Sequence, residues 1–142
     1  MTIKPKKCIP ATIAMPLSTV YATAGALLTR NGAGSLTNTV TLSSSTPAYW
    51  VCAADADNSS GVAKSTTEVL VYPMNERTSW ECVCSGTPIS TTIGICAPPK
   101  TNTTIGEETN ADGGFLIEEI TDATNKKVLA RWIYRSIKDV DQ

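Results

Sequence analysis

The chain has 142 residues, which is enough for one domain with a buried core and short for two. Its hydrophobic fraction of 42%, charged fraction of 18% and net charge of −1 exclude a disordered chain, and they argue against a general nucleic-acid binder. Because the sequence has no histidine, it lacks the usual base of serine and cysteine hydrolases and the commonest zinc ligand.

Residues 1–19 are predicted to form an extended N-terminal arm. The arm contains three prolines, which forbid a continuous helix and disfavour a central strand: Pro5, Pro10 and Pro16. It also contains a small basic patch of three lysines, which is typical of a solvated or partner-docking terminus: Lys4, Lys6 and Lys7. Since the prolines also interrupt the apolar stretch that follows these lysines, we expect no signal peptide.

A β-rich domain is predicted over residues 20–135. A strand over 26–30 leads into Asn31–Gly34, where asparagine and glycine supply the positive φ angles of a tight turn. Apolar residues then alternate with threonine over 35–42, which predicts a half-buried strand. The segment 48–54 is apolar on both faces, as in a central strand of a sheet.

Three more strands are predicted before the last hairpin, over 68–72, 79–84 and 93–96. In the second of them, Trp80, Cys82 and Cys84 share one face because side chains alternate along a strand. Residues 98–113 are rich in Pro, Asn, Thr and Gly. So long a loop is unusual in a compact domain, which makes it a candidate contact element.

The C-terminal part predicts a hairpin of strands 115–120 and 126–134, followed by a charged, flexible tail over 136–142. On its second strand the apolar residues Val128, Ala130 and Trp132 share a face. About eight short strands with turns between them predict an all-β fold, with helix limited to a short turn. We therefore expect an antiparallel β-barrel, β-tulip-like or sandwich domain with an extended N-terminal arm.

The five cysteines could serve as core residues, as disulfide partners or as metal ligands. Their odd number favours reduced thiols that serve as small core residues. Cys82 and Cys84 have a spacing of one intervening residue, whereas structural zinc sites mostly use pairs separated by two to four. No metal site is predicted from them.

Two acidic motifs also fail as sites. Asp55–Gly61 resembles the start of a calcium loop, but Thr66 stands at the twelfth position, where a bidentate glutamate is needed. Glu118 and Glu119 could form an acid–base pair, yet neighbours on a strand are expected to point to opposite faces. We therefore predict no catalytic, cofactor-binding or metal-binding residue, and no enzyme.

The three tryptophans could stack on sugars or line an interface. Each lies on an apolar strand face, so packing in the core is the expectation for at least two of Trp50, Trp80 and Trp132.

A pattern of glycine and apolar positions resembles the capsid decoration, or cement, proteins of tailed bacteriophages. The segments that carry it are 24–28, 31–34, 69–71, 80–86, 93–95, 114–120 and 122–131. Together they span about residues 20–134. The end of the chain, from Gly114 to Arg131, is most similar to the family.

The resemblance implies a structural virion protein on the outer surface of a phage capsid, made in the host cytoplasm. Its partner would be the major capsid protein, whose subunit contacts it stabilises, and it would form a trimer or dimer. No nucleic acid, membrane or cofactor is expected. Because they are open and rich in proline, residues 1–19 and 98–113 are the predicted contacts with coat subunits.

The sequence leaves two alternatives open. One is a phage tail or head-completion structural protein. The other is a secreted carbohydrate-binding or adhesin β-domain, which the exposed threonine strands and the tryptophans would suit.

Overall fold

The computed structural model describes residues 2–18, 21–30, 34–37, 49–57, 68–107 and 114–133. Within these ranges the chain forms two antiparallel five-stranded sheets, a two-stranded ribbon and a 3₁₀ turn at Ser90–Thr92. The all-β prediction is confirmed, with one sheet curled like part of a barrel and packed against the other.

The strands are short and follow one another closely along the chain. They are β1 (Lys4–Lys7), β2 (Ile13–Pro16), β3 (Tyr21–Ala22), β4 (Leu27–Arg30), β5 (Leu36–Thr37), β6 (Tyr49–Cys52), β7 (Ala56–Asp57), β8 (Glu68–Pro73), β9 (Ser79–Val83), β10 (Cys96–Ala97), β11 (Gly114–Asp122) and β12 (Lys127–Ile133). Sheet I has the order β1-β9-β12-β11-β10, and sheet II has the order β2-β8-β6-β4-β5. Strands β3 and β7 form the ribbon.

Sheet I is built around the predicted C-terminal hairpin, which the structure confirms as β11 and β12. As the alternation predicts, Val128, Ala130 and Trp132 turn to the buried face. Trp132 meets Phe115 of the neighbouring strand edge-on, with ring centroids 5.3 Å apart. Aromatic pairs across strands stabilise a sheet beyond the area that they bury.

Sheet II curls until its two ends meet. Leu17, just after β2, forms a parallel bridge with Leu36 of β5, and the Ser18 amide donates to the Leu36 carbonyl at 2.8 Å. The curl encloses a small apolar cluster that includes Leu28, Cys52 and Val71. Closure of this kind leaves fewer unpaired backbone groups at a sheet edge.

The main core lies between the convex side of sheet II and the inner face of sheet I. Leu27 and Val51 of sheet II pack there in one cluster with Trp80, Phe115 and other buried residues of sheet I. Strand β6 therefore contributes side chains to both the main core and the cluster inside sheet II, with Val51 on one face and Cys52 on the other. This confirms the prediction of a central strand over 48–54, of which 49–52 are paired.

The predicted extended arm over 1–19 is not confirmed. Its described part supplies an edge strand to each sheet, since β1 pairs with β9 and β2 pairs with β8. Ile3 and Leu17 are fully buried. Pro5 and Pro16 fit because proline is tolerated at sheet edges, where one row of amides needs no partner.

Two other predictions need correction. Of the strand predicted over 93–96 only Cys96 lies in a strand, Cys96–Ala97, because the chain turns at Ile93 and Gly94, where Gly94 adopts a φ of +91°. The described part of the predicted open loop, 98–107, folds back onto the protein: Ile105 is fully buried and bridges both Cys84 and Pro99. The predictions for 31–33, 38–48, 58–67, 108–113 and 134–142 lie outside the described residues.

Candidate functional site

The thiols lie where a core needs small residues. Cys82 and Cys84 are buried beside Trp80 on the inner face of sheet I, as the alternation predicts, and the five cysteines, all within the described residues, form no disulfide bond. Burial, followed by the nearby Glu107 carboxylate, raises the pKa of the Cys84 thiol to about 11. Burial also raises the pKa of Cys82 well above its usual range. Thiols held protonated in this way are poor nucleophiles and poor metal ligands.

The acidic side chains are dispersed, and several support local structure. Asp122 accepts hydrogen bonds from the side chain and backbone of Asn125 in the β11–β12 turn, and these bonds lower its pKa. Glu107 accepts a hydrogen bond from Ser85 at 2.9 Å. Among the described residues, no three Cys, Asp or Glu side chains converge on a position that could hold a metal ion.

Glu118 and Glu119 do not point to opposite faces as expected. A β-bulge shifts the register of β11 between Ile117 and Glu119. Glu118 then contacts Arg131, with Oε2 and Nε 3.0 Å apart, while Glu119 lies opposite Leu129. Both carboxylates therefore lie on the outer face of sheet I, because a bulge sets two residues against one.

The tryptophans are placed mainly for packing. Trp80 is fully buried, Trp132 is 8% exposed, and Trp50 packs against the cluster inside sheet II. Core packing of at least two of them is thus confirmed. The described surface consequently presents neither Trp80 nor Trp132 as a platform for stacking on sugars.

The N-terminal lysines lie close to a carboxylate that the sequence pattern does not identify as a candidate site residue. Glu81 of β9 is only 15% exposed at its side chain and lies within ion-pair distance of three ammonium groups. The distances from its oxygens are 3.8 Å to Lys4, 4.0 Å to Lys6 and 3.9 Å to Lys127. We call these four residues the lysine patch. The pattern could place Glu81 opposite Trp80 and Cys82, but it could not reveal that β1 would pair with β9.

A shallow depression lies where the chain crosses from β1 to β2. It is lined by Cys8, Ile9 and Pro10 on one side and by the β8–β9 loop, 75–77, on the other. The buried hydroxyl of Thr78 joins the two sides by donating to the Cys8 carbonyl at 2.7 Å. The exposed thiol of Cys8 shares the depression with the side chains of Glu76 and Arg77.

Several large apolar side chains are exposed around the edges of the protein. Ile9, in the connector after β1, and Ile13, the first residue of β2, are named the connector patch, and Ile89 and Ile93, which flank the 3₁₀ turn, are named the turn patch. Together with Leu70 and Tyr21, they are exposed by 45–61%. Exposed apolar side chains that occur together mark candidate surfaces for binding another protein.

Comparison with family models, with curated proteins and with solved structures finds no match in any of the three. In the described part of the chain, no helix has the length and apolar character needed to cross a membrane.

Proposed function

We propose that this chain is a structural virion protein that binds the outer surface of a phage capsid and stabilises contacts between major capsid subunits. The observation that carries the proposal is the exposure of isoleucine in the connector patch and in the turn patch, which lie in two separate segments of the double-sheet fold. A protein that bridges neighbouring subunits needs at least two such contact surfaces. The sequence resemblance to decoration proteins supports the same function.

Weak individual contacts are sufficient for binding to a capsid shell. Each patch is small, but when several copies or several contacts act together their effective affinity exceeds that of one contact. No deep pocket is needed for this purpose. The buried, protonated thiols and the dispersed acids of the described residues are compatible with a binding role.

Binding to expanded shells of the virus that encodes the chain tests the proposal. We expect the wild-type protein to bind at a copy number close to that of the coat protein, measured by quantitative gel analysis and electron microscopy. Ile9→Asp/Ile13→Asp and Ile89→Asp/Ile93→Asp should each lower the occupancy. Thr124→Asp, in the exposed turn between β11 and β12, is the control for added charge and should bind like wild type.

Absence of the protein from purified heads would refute the proposal. Normal occupancy of both isoleucine variants would also refute it, because the observation that carries the proposal would then have no role in binding.

A further inference from the structure

The lysine patch carries more positive charge than its own carboxylate neutralises. Three ammonium groups surround Glu81, so the four side chains together have an excess of two positive charges at neutral pH. Their nitrogen–oxygen distances of 3.8–4.0 Å exceed the 2.7–3.2 Å of a direct hydrogen bond. With side chains 40–44% exposed, the lysines can still donate hydrogen bonds to a further anion.

The patch occupies a defined part of the outer face of sheet I. Leu129 of β12 lies directly opposite Glu81 and is 9% exposed, so it gives the patch an apolar floor. The next strand, β11, carries Glu118 and Glu119 on the same face. The face is thus positive over β1, β9 and β12 and negative over β11.

We propose that the lysine patch binds an acidic polypeptide segment, which, on the basis of the function proposed above, belongs to the coat subunit. One or two carboxylates of that segment lie among the three ammonium groups and supply the charge that Glu81 does not. Charge complementarity of this kind steers association and fixes the register of an interface.

The charges around the patch favour a protein over a nucleic acid. Strong binding to duplex DNA commonly uses about 6–10 phosphate contacts. A continuous phosphate chain would also pass close to Glu81 or to the acids of β11 and be repelled by them. A short acidic segment can occupy the positive area alone.

Charge variants test the inference in two directions. Lys4→Glu/Lys6→Glu should weaken binding to expanded shells by about tenfold or more at low salt, and the difference should shrink as ionic strength rises. Glu81→Gln, which removes the only negative charge of the patch, should tighten binding. Arg30→Glu/Ala123→Glu/Thr124→Glu changes the net charge equally at exposed positions outside the patch and is the matched control. Circular dichroism verifies that each variant is folded.

Two soluble probes identify the class of partner without shells. The wild-type chain is titrated with a short polyglutamate peptide and with a DNA oligonucleotide of equal charge, and amide chemical shifts are followed by NMR. We expect the peptide to perturb residues around Glu81 and Leu129 and to bind more tightly than the oligonucleotide. The reverse order of affinity, or shifts at another surface, would overturn the inference.

Different results refute the proposed function and the inference about the lysine patch. If wild-type protein does not bind shells, the proposed function is wrong. If wild type binds but Lys4→Glu/Lys6→Glu binds equally well, only the inference about the lysine patch is wrong. A change of oligomeric state in that variant, measured by light scattering, would assign the patch to a second copy of the chain and likewise overturn it.

Discussion

Burial of a thiol makes the stability of this protein sensitive to alkaline pH. An unfolded cysteine ionises near pH 9.0, whereas the folded Cys84 thiol has a pKa of about 11. Between these values the unfolded chain has released a proton that the folded chain keeps, so rising pH favours unfolding. The stabilising effect of the buried neutral thiol is complete below pH 9.0.

We therefore expect the free energy of unfolding to fall as pH rises from about 9 to about 11, and to fall less steeply in Cys84→Ala. Urea unfolding across this range measures it. Val128→Ala, which truncates the same core without removing a thiol, should lower stability but keep the wild-type slope. Identical slopes for wild type and Cys84→Ala would contradict the assignment.

At the level of elements, the N-terminal segment is an integral part of both sheets. Ile3 is fully buried in the main core, and its amide donates to the Gly25 carbonyl at 3.1 Å. Ile9, six residues later, is 60% exposed. The same residue type thus has opposite roles within one short segment, which provides a matched pair of variants.

We expect Ile3→Ala to destabilise the protein by about 2–5 kcal/mol, because it leaves a cavity in the core. Ile9→Ala should change stability by no more than about 0.5 kcal/mol. Chemical denaturation of both variants measures the difference. Equal, small effects would mean that Ile3 contributes nothing to the core and that the segment behaves as the extended arm predicted from its prolines.

The sequence predicts elements whose signal is local. Alternation identified the hairpin of β11 and β12, the buried face of Trp80 and Cys82, and the double-sided strand β6. It could not identify partners that are distant in the chain, such as β1 with β9. The bulge at Glu118 could not be predicted either. A one-residue shift in strand register depends on how two strands pair, and it does not alter the alternation of apolar and polar residues in the sequence.

The candidate site was predictable only in part, for the same reason. Lys4 and Lys6 were singled out as a basic group, but Glu81 and Lys127 join them through strand pairing alone. The exposure of the isoleucine side chains in the two apolar patches depends on the tertiary packing around them, which the sequence pattern does not reveal. The prolines suggested an open N-terminus because proline disfavours a central strand, yet an edge strand satisfies the same restriction.

At the scale of the whole molecule, the main core joins the two sheets into one unit. Leu27 and Val51 of sheet II lie in the same cluster as Trp80 and Trp132 of sheet I, while Trp50 reports on the separate cluster inside sheet II. Because this core is shared, unfolding of one sheet would expose apolar side chains of the other sheet and destabilise it. The two sheets should therefore unfold together.

We expect one cooperative transition, with coincident midpoints by far-ultraviolet circular dichroism and tryptophan fluorescence. In Trp50→Phe the remaining fluorescence comes from the main core and should show the same agreement with circular dichroism. Leu27→Ala should lower both midpoints together, with a loss of about 2–5 kcal/mol. Two separated transitions would show that the sheets are independent units.

The order of strands within the sheets also has a consequence for how the protein is synthesised. Strands β1 and β2 leave the ribosome well before their partners. β9 and β8 lie within residues 68–83, so neither pair can form until that segment has been translated. Such distant pairings slow folding, since a long stretch of chain must be ordered before they form. During that interval Ile3 lacks the residues of β9, β11 and β12 that share its core cluster, so the nascent chain exposes apolar surface that a ribosome-associated chaperone can bind.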